Sequence, residues 1–239
     1  MIMSNIALIT AAGKATRMHQ NIPKQFLTIN DRPVIIYTLE AFQKHPEIDT
    51  IAIACLKGWE QILQAYANQF NITKLKHIVQ GGDTGQESIK NVLDELEKNY
   101  KPEDIVLIHD GNRPLVSADI ISDCIVTVKN YGCAISAIPC VEAVMTTDDG
   151  IISNGCYPRE TLRRTHTPHG FFLQKICDIH KRALEAGIKN SVAAPALMNA
   201  LGENVYFSSG SEKNIKITTV EDIEIFKALL EAQKPKWLK

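Results

Sequence analysis

The stretch IALITAAGKATRMHQNIPKQF, residues 6–26, joins a short apolar run to a long loop of small and cationic residues. The run Ile6–Thr10 is typical of a buried strand. Gly13 lets a backbone turn tightly, and the loop around it carries three cations. These cations are Lys14, Arg17 and Lys24. A loop of this kind predicts an anion site, with phosphate, nucleic acid and plain solvent as the alternatives.

Strand-like and helix-like patterns then alternate along the chain. The predicted strands are IALIT, TIAIACL, KHIVQ, DIVLIHD and CAISAIP. The predicted helices run from Pro33 to Phe42, from Trp59 to Phe70, and through SIKNVLDELEKNY and ADIISDCIVTVKNYG. Short apolar runs joined by amphipathic helices predict a mostly parallel sheet covered on both faces. We therefore expect a doubly wound α/β fold, with residues 1–239 forming one domain.

The alternation stops at CVEAVMTTDDGIISNGCYPRETLRR, residues 140–164. β-branched residues flank an Asp-Gly pair there, which predicts a β-hairpin that projects as an arm at about residues 139–162. Four further elements are expected after the arm. They are a helix through FFLQKICDIHKRALEAG, a small-residue helix near AAPALMNALG, the strand NVYFSS and a last helix TVEDIEIFKALLEAQ.

Composition excludes several classes of protein. Hydrophobic residues make up 45% of the chain and charged residues 22%, which excludes a disordered chain. The net charge of -1 gives no overall attraction to nucleic acid or to an acidic membrane. The six cysteines lack CxxC spacing and are expected as free, mostly buried thiols. With neither a basic leader nor a long apolar segment, the sequence predicts a cytoplasmic protein without a membrane span.

The loops at the carboxyl ends of the strands hold the candidate ligand sites. In the first loop GxGxxG is absent, and Leu8 stands where the first glycine of a Walker motif should be. What remains is the turn Ala11–Gly13, whose N–H groups can approach a phosphate, followed by Arg17 and Lys24. From this loop alone, phosphate binding and simple solvation of the cations are equally well supported.

Three later loops carry further polar groups. GGDTGQES, residues 81–88, suits a base, ribose or phosphate at a helix N-terminus, but it also fits ordinary helix capping. In HDGNRP, Asp110 directly follows a buried strand, where a carboxylate can hold Mg²⁺ beside Arg113. In NIKIT, Lys216 lies in a predicted short apolar strand and must find an anion or reach water.

Neither GxSxG nor a cysteine in a plausible active loop is present, so a nucleophilic triad is not indicated. Cations from three loops around one carboxylate favour phosphoryl or nucleotidyl transfer over hydrolysis.

Taken in order, AAGKATRM, IPKQF, GGDTGQES, HDGNRP, HTPH and NIKIT resemble the cytidylyltransferase family of methylerythritol-phosphate and ribitol-phosphate enzymes. The resemblance covers nearly the whole chain. It implies a Rossmann-like fold of the nucleotide-diphospho-sugar transferase type and a homodimer whose arms cross between subunits. It also implies CTP and Mg²⁺ as requirements, with a CDP-alcohol and pyrophosphate as products.

The resemblance also implies roles for individual residues. The CTP-binding residues would be Ala11, Ala12, Gly13, Gly82, Asp83, Ser88 and Gly111. The catalytic cations would be Arg17, Lys24 and Lys216, with Asp110 as the metal ligand. The acceptor phosphate would be held by Arg113, Thr167, Ser191 and, from the partner's arm, Arg159.

Departures from the family pattern fall mostly on the acceptor side. Ala143 replaces a threonine of the arm, His169 replaces a glutamine, and SVAAP after Asn190 replaces an acidic Thr-Asp motif. The sequence around GGDTGQESI and IHDG is more similar to the ribitol-phosphate type, found in surface-polysaccharide pathways. We therefore expect a polyol phosphate acceptor. The alternatives are methylerythritol phosphate in isoprenoid biosynthesis and a homologue that binds nucleotide without turnover.

Overall fold

The computed structural model describes residues 3–13 and 22–233, which form eleven strands and seven α-helices within those ranges. The strands are β1 (Asn5–Ala11), β2 (Thr28–Ile29), β3 (Arg32–Pro33), β4 (Thr50–Cys55), β5 (Leu75–Gln80), β6 (Ile105–Asp110), β7 (Cys133–Pro139), β8 (Val144–Thr146), β9 (Gly155–Tyr157), β10 (Arg163–Phe172) and β11 (Phe207–Ser209). The helices are α1 (Val34–Lys44), α2 (Glu60–Gln69), α3 (Gly85–Asn99), α4 (Ala118–Tyr131), α5 (Leu173–Glu185), α6 (Ala194–Ala200) and α7 (Val220–Gln233).

A seven-stranded sheet has the order β11-β7-β10-β6-β1-β4-β5. Its strands pair in parallel except at β10, which is antiparallel to both β6 and β7. On one face of the sheet, α1, α2 and α4 pack in one apolar cluster. On the other face, α3, α5 and α6 pack in a second cluster. The predicted doubly wound, mostly parallel α/β sheet is therefore confirmed.

The sheet order places the ligand-binding edge between β1 and β6. From β1 the chain builds outward through β4 and β5 on one side, and then returns to β6 on the other. The register pairs Thr10 at the end of β1 with Asp110 at the end of β6. Loops that leave such a reversal point diverge and open a crevice at the carboxyl ends of the strands.

Two predictions about local structure were wrong. The segment RRTHTPHGFF forms β10, whose last residues, Phe171 and Phe172, were expected to start a helix. Polar residues and Pro168 make this segment look unlike a strand in sequence, but hydrogen bonds to β6 and β7 on its two sides stabilise it as one. NIKIT forms no strand, and its backbone is held instead by loop contacts such as the bond from Ile217 N to the Asn112 carbonyl.

The predicted hairpin is present, since β8 pairs antiparallel with β9 from Val144–Tyr157 to Thr146–Gly155. Large apolar side chains remain exposed on this arm, among them Met145 and Ile151. Across the described ranges, no helix is both long enough and apolar enough to span a bilayer.

Gly170 on β10 packs closely against α4. A Cβ atom there would lie 2.5 Å from Val128 Cγ2 and 2.8 Å from Cys124 Sγ. Both side chains belong to α4 and are fully buried, so they have little room to move.

We expect Gly170→Ala to lower the free energy of unfolding by about 1–3 kcal/mol, because it overpacks a filled interior. Urea unfolding measures this change. Gly85→Ala is the matched control, because a Cβ at Gly85 has no neighbour within 4 Å and alanine suits a helix. Equal stability of the two variants would contradict this account of the β10–α4 contact.

Candidate functional site

An ion cluster stands at the carboxyl end of β6. The Asp110 carboxylate oxygen Oδ2 lies 3.0 Å from Lys216 Nζ and 3.0 Å from Arg113 Nε. Burial would by itself raise the pKa of Asp110, but the charges of Lys216 and Arg113 outweigh burial and hold this pKa well below its usual range. Asp110 is thus a carboxylate at neutral pH.

Loop contacts, rather than a strand, position Lys216. Arg113 Nη1 donates to the Asn214 carbonyl at 2.7 Å, and Asn214 Nδ2 donates to the Thr167 carbonyl at 2.7 Å. Thr167 Oγ1 in turn accepts from the Asp110 N–H at 3.1 Å. The loop after β6, the middle of β10 and the segment around Lys216 therefore form one hydrogen-bonded unit.

The first of two cavities, here called the loop cavity, has a volume of about 330 Å³. It lies between the first loop and the loop that begins α3. Its lining residues are Thr10, Ala11, Ala12, Gly13, Lys24, Gln25, Gly82, Asp83, Thr84, Gly85, Ser88, Asp110, Asn112 and Lys216. Six of the seven residues predicted to bind CTP are in this lining, together with Lys24 and Lys216.

The walls of the loop cavity are fixed by internal contacts. The buried Gln25 side chain donates to the Ala11 carbonyl at 2.7 Å and to the Gly13 carbonyl at 3.3 Å. Next to the opposite wall, a Cβ at Gly81 would lie 2.2 Å from Ala12 Cβ, so only glycine allows this approach. These contacts hold the two loops at a fixed separation.

Ser88 and Gly111, which are also predicted to bind CTP, have internal partners as well. Ser88 Oγ accepts from the Gly82 N–H at 3.0 Å and donates to the Thr84 carbonyl at 2.8 Å, so it shapes the loop that begins α3. The Gly111 N–H donates to the Thr10 carbonyl, and the Gly111 carbonyl accepts from Thr38 Oγ1. Gly111 is outside the lining of both cavities, as far as the described residues define them.

The second cavity, here called the histidine cavity, has a volume of about 270 Å³. Its lining residues are Thr10, Gly85, Gln86, Ile89, Ile108, Asp110, Arg113, Thr165, His166, Thr167, His169, His180, Ser191, Val192, Ala193, Ala194, Leu197 and Lys216. Asp110 is the single carboxylate in this described lining, and Arg113 and Lys216 face it. The remaining polar lining consists of uncharged hydrogen-bonding groups.

Gln86 joins the histidine cavity to α3. Its Nε2 donates to the Ile188 carbonyl at 2.7 Å, and its Oε1 accepts from the Ser191 N–H at 2.9 Å. Since Gln86 is 94% buried, these bonds fix the segment that carries Ser191 and Val192. Neither Gln86 nor Gln25 was predicted from the sequence, because a glutamine gives no sign of which distant carbonyl it will bind.

The two cavities meet at four shared residues. These are Thr10, Gly85, Asp110 and Lys216. A ligand group in each cavity could therefore contact the same carboxylate and the same ammonium. This arrangement suits a reaction between two anionic molecules, because cations can lower their repulsion where they meet.

The other predicted site residues do not all lie in one cavity. Arg113, Thr167 and Ser191 line the histidine cavity. Arg159 lies on the arm, where its guanidinium contacts Glu160 at 3.4 Å and the Val141 carbonyl at 3.3 Å. Arg17 lies outside the described residues.

Several buried histidines are uncharged at neutral pH. Burial lowers the pKa of His109, His169 and His180 to about 4. His169 and His180 line the histidine cavity, whereas His109 lies beneath it with Nε2 bonded to the Arg113 carbonyl at 3.1 Å. The cavity therefore offers neutral imidazoles rather than cations away from Arg113 and Lys216.

Because the pKa values of these histidines are lowered in the folded protein, we expect the protein to lose stability in mild acid. In the unfolded chain they gain protons below about pH 6.5, whereas the folded protein resists protonation until about pH 4. The stability is thus fully present above pH 6.5 and declines as the pH falls towards 4. At pH 5 we expect about 1–2 kcal/mol lost per histidine, measured by urea unfolding at pH 7 and pH 5. An equal free energy of unfolding at pH 7 and pH 5, or no proton uptake on unfolding at pH 5, would contradict this prediction.

Comparison with known proteins gives a consistent picture. A family model described as IspD, 2-C-methyl-D-erythritol 4-phosphate cytidylyltransferase, matches residues 5–232. A ribitol-5-phosphate cytidylyltransferase of Lacticaseibacillus paracasei is 39% identical over 226 residues, covering 94% of this chain and 97% of the relative. A 2-C-methyl-D-erythritol 4-phosphate cytidylyltransferase of Clostridium novyi is 36% identical over 232 residues, covering 95% of this chain and 96% of the relative.

Solved structures agree with the fold. The 4-diphosphocytidyl-2C-methyl-D-erythritol synthase of Anaerococcus prevotii matches with a TM-score of 0.81 and 26% identity, over 96% of both chains. The 2-C-methyl-D-erythritol 4-phosphate cytidylyltransferase of Thermus thermophilus matches with a TM-score of 0.77 and 28% identity, over 96% of this chain and all of the other.

Proposed function

Because the chain belongs to the family of 2-C-methyl-D-erythritol 4-phosphate cytidylyltransferases, we propose that it transfers CMP from CTP to a polyol phosphate. The acceptor we favour is ribitol 5-phosphate, and the products are a CDP-alcohol and pyrophosphate. The observation that carries this proposal is the meeting of two cavities at Asp110 and Lys216. An enzyme that joins a nucleotide to a second phosphate must bind two anionic substrates side by side. Two cavities with a shared charged boundary allow this.

The two cavities differ in ways that suit the two substrates. The loop cavity is lined by the backbone turns of residues 11–13 and 82–85, whose alanine and glycine residues let a triphosphate and its nucleoside approach the backbone closely. Among the described residues, the histidine cavity has cations only near Asp110 and uncharged polar groups elsewhere. We assign CTP to the loop cavity and the alcohol phosphate to the histidine cavity, with its phosphate beside Arg113 and Lys216.

The chemistry requires positioning more than proton transfer. An oxygen of the acceptor phosphate attacks the α-phosphorus of CTP, and the bond from that phosphorus to pyrophosphate breaks. The attacking oxygen is already anionic at neutral pH, so no general base is needed. Lys24 and Lys216 would stabilise the charge that develops on the transferred group, and Arg113 would orient the acceptor phosphate.

Asp110 fits the role of a Mg²⁺ ligand. Its Oδ2 is held by Lys216 and Arg113, whereas the one contact of Oδ1 among the described residues is a long one of 3.5 Å to Thr10 Oγ1. The described residues contain no cluster of three histidine, cysteine or acidic side chains that could enclose a metal. Mg²⁺ in nucleotide enzymes is often bound by one or two carboxylates together with substrate phosphates, so a single carboxylate suffices. When bound, the ion would neutralise phosphate charge.

The choice of acceptor rests on similarity and on the lining of the histidine cavity. The relatives at 39% identity bear the name ribitol-5-phosphate cytidylyltransferase. The segment Val192–Ala194 presents small apolar groups where the family motif has an acidic residue. The second candidate is 2-C-methyl-D-erythritol 4-phosphate, favoured by the similarity to the Clostridium novyi enzyme.

An acceptor comparison tests this proposal. With CTP and Mg²⁺, we expect pyrophosphate release with ribitol 5-phosphate at a higher kcat/KM than with 2-C-methyl-D-erythritol 4-phosphate, because sites that bind substrate hydroxyls discriminate strongly. The reverse order would assign the second acceptor. CTP binding without pyrophosphate release from any sugar or polyol phosphate would indicate a non-catalytic homologue.

Asp110→Asn tests the metal site. We expect a loss of activity of about 10²-fold or more, and weaker dependence of the remaining activity on Mg²⁺. Asp178→Asn, an exposed carboxylate on α5, is the matched control and should leave both quantities unchanged. A Mg²⁺ titration of pyrophosphate release measures the effect, and an unchanged Mg²⁺ dependence in Asp110→Asn would remove Asp110 from the metal site.

We also propose that the enzyme is a homodimer in the cytoplasm. Exposed apolar side chains on the arm, including Val141, Ile151 and Ile152, would be covered by a second subunit. Arg159 lies outside the described lining of both cavities of its own chain and would reach the acceptor phosphate of its partner. The six cysteines are free thiols, which suits a reducing compartment.

Mixing two inactive variants tests the shared site. Lys24→Ala and Arg159→Ala chains that exchange subunits should recover about a quarter of wild-type sites, because one site of each heterodimer carries neither change. Pyrophosphate release before and after exchange measures the recovery. Exchange of Lys24→Ala with itself is the control. Proven exchange without recovery would exclude a site built from both chains.

A further inference from the structure

We propose that His180 binds a hydroxyl group of the acceptor in the histidine cavity, and that this bond helps to select a polyol chain. The inference rests on the proposed function, which names the acceptor class but gives His180 no role. It concerns a residue of α5 that belongs to none of the motif loops.

His180 is a buried imidazole without an internal partner. Its residue surface is 4% exposed, and its ring makes no hydrogen bond within the described part of the chain. The Nδ1 atoms of His109 and His166 also lack partners, but both are sealed from any probe of water size. The ring nitrogens of His180 are not among these sealed atoms, and His180 lines both the histidine cavity and a third cavity.

His180 lies away from Asp110 and Lys216, the charged boundary between the two cavities. The histidine cavity shares Asp110 and Lys216 with the loop cavity. It shares Gln86 and His180 with a third cavity of about 470 Å³, which lies between α3 and α5. We place the acceptor phosphate beside Arg113 and Lys216, with its carbon chain extending along the cavity to the wall that contains His180.

The chemistry of His180 matches a hydroxyl better than a phosphate. Burial, with a smaller contribution from the charge of Lys90, lowers the pKa of His180 to about 4, so the ring is neutral at pH 7. A neutral imidazole carries one N–H donor and one nitrogen acceptor. A hydroxyl group is likewise both a donor and an acceptor, whereas a phosphate dianion needs donors only. Leaving this buried imidazole unpaired is unfavourable, and a substrate hydroxyl removes the cost.

The alternative is that His180 only packs against its neighbours, and two substitutions distinguish these roles. His180→Leu replaces the imidazole with a side chain of similar size that has no polar atoms. His180→Gln keeps one donor and one acceptor. Leu184→Gln is the matched control, since Leu184 lies one turn further along α5 and lines the third cavity but not the histidine cavity.

Steady-state kinetics with ribitol 5-phosphate form the first measurement. We expect His180→Leu to raise the KM for ribitol 5-phosphate about tenfold while kcat and the KM for CTP stay within about twofold, because the lost bond is made in the ground state as well. His180→Gln should recover much of this loss. Pentyl phosphate, which has no hydroxyl groups, serves as a competitive inhibitor whose Ki should be the same in all four proteins.

Imidazole NMR of the wild-type enzyme is the second measurement, and it does not depend on turnover. Ribitol 5-phosphate, added with a CTP analogue whose α–β bridge is methylene, should shift the ¹⁵N resonances of His180, and pentyl phosphate should not. An unchanged KM in His180→Leu, or equal shifts with both phosphates, would overturn the proposal. If the enzyme released no pyrophosphate but the selective shift were seen, the proposed transfer would fail while hydroxyl binding by His180 would stand.

Discussion

The buried carboxylate of Asp110 is the constraint on which the rest of the site depends. A carboxylate at the end of a central strand is costly unless cations neutralise it, and Arg113 and Lys216 both do so at 3.0 Å. Arg113 comes from the same loop, but Lys216 arrives from a segment more than a hundred residues later. The need to pair Asp110 therefore helps to fix the C-terminal segment against the sheet.

The two cavities on either side of this cluster are built differently. The loop cavity is formed mainly by backbone turns at strand ends, and its separation is fixed by Gln25 and by the close approach of Gly81 to Ala12. The histidine cavity is lined mainly by residues of β10, α3 and the segment held by Gln86, with His180 from α5. A backbone-lined site changes little when side chains are replaced, whereas a side-chain-lined site changes with each substitution. This difference explains how one fold could keep its nucleotide while the alcohol varies among relatives.

Much of this chemistry depends on which groups remain uncharged. Burial keeps His169 neutral beside the charged cluster, and it keeps His180 neutral further from that cluster. If they were protonated, they would extend the positive field across the whole histidine cavity. Positive charge is instead restricted to the boundary that the two cavities share.

The sequence by itself determined the alternation of strands and helices, the hairpin and the loops that carry Ala11–Gly13, Gly82 and Asp110. These features depend on local periodicity and on turn-forming residues, which are visible in short windows of sequence. Only the tertiary structure decided that RRTHTPHGFF is a central antiparallel strand, because β6 and β7 supply its hydrogen bonds from both sides. It also decided the contacts of Gln25, Gln86 and His180, whose partners or cavities come from distant segments. A polar side chain gives no local sign of such a partner, since the bond exists only after the sheet has brought the segments together.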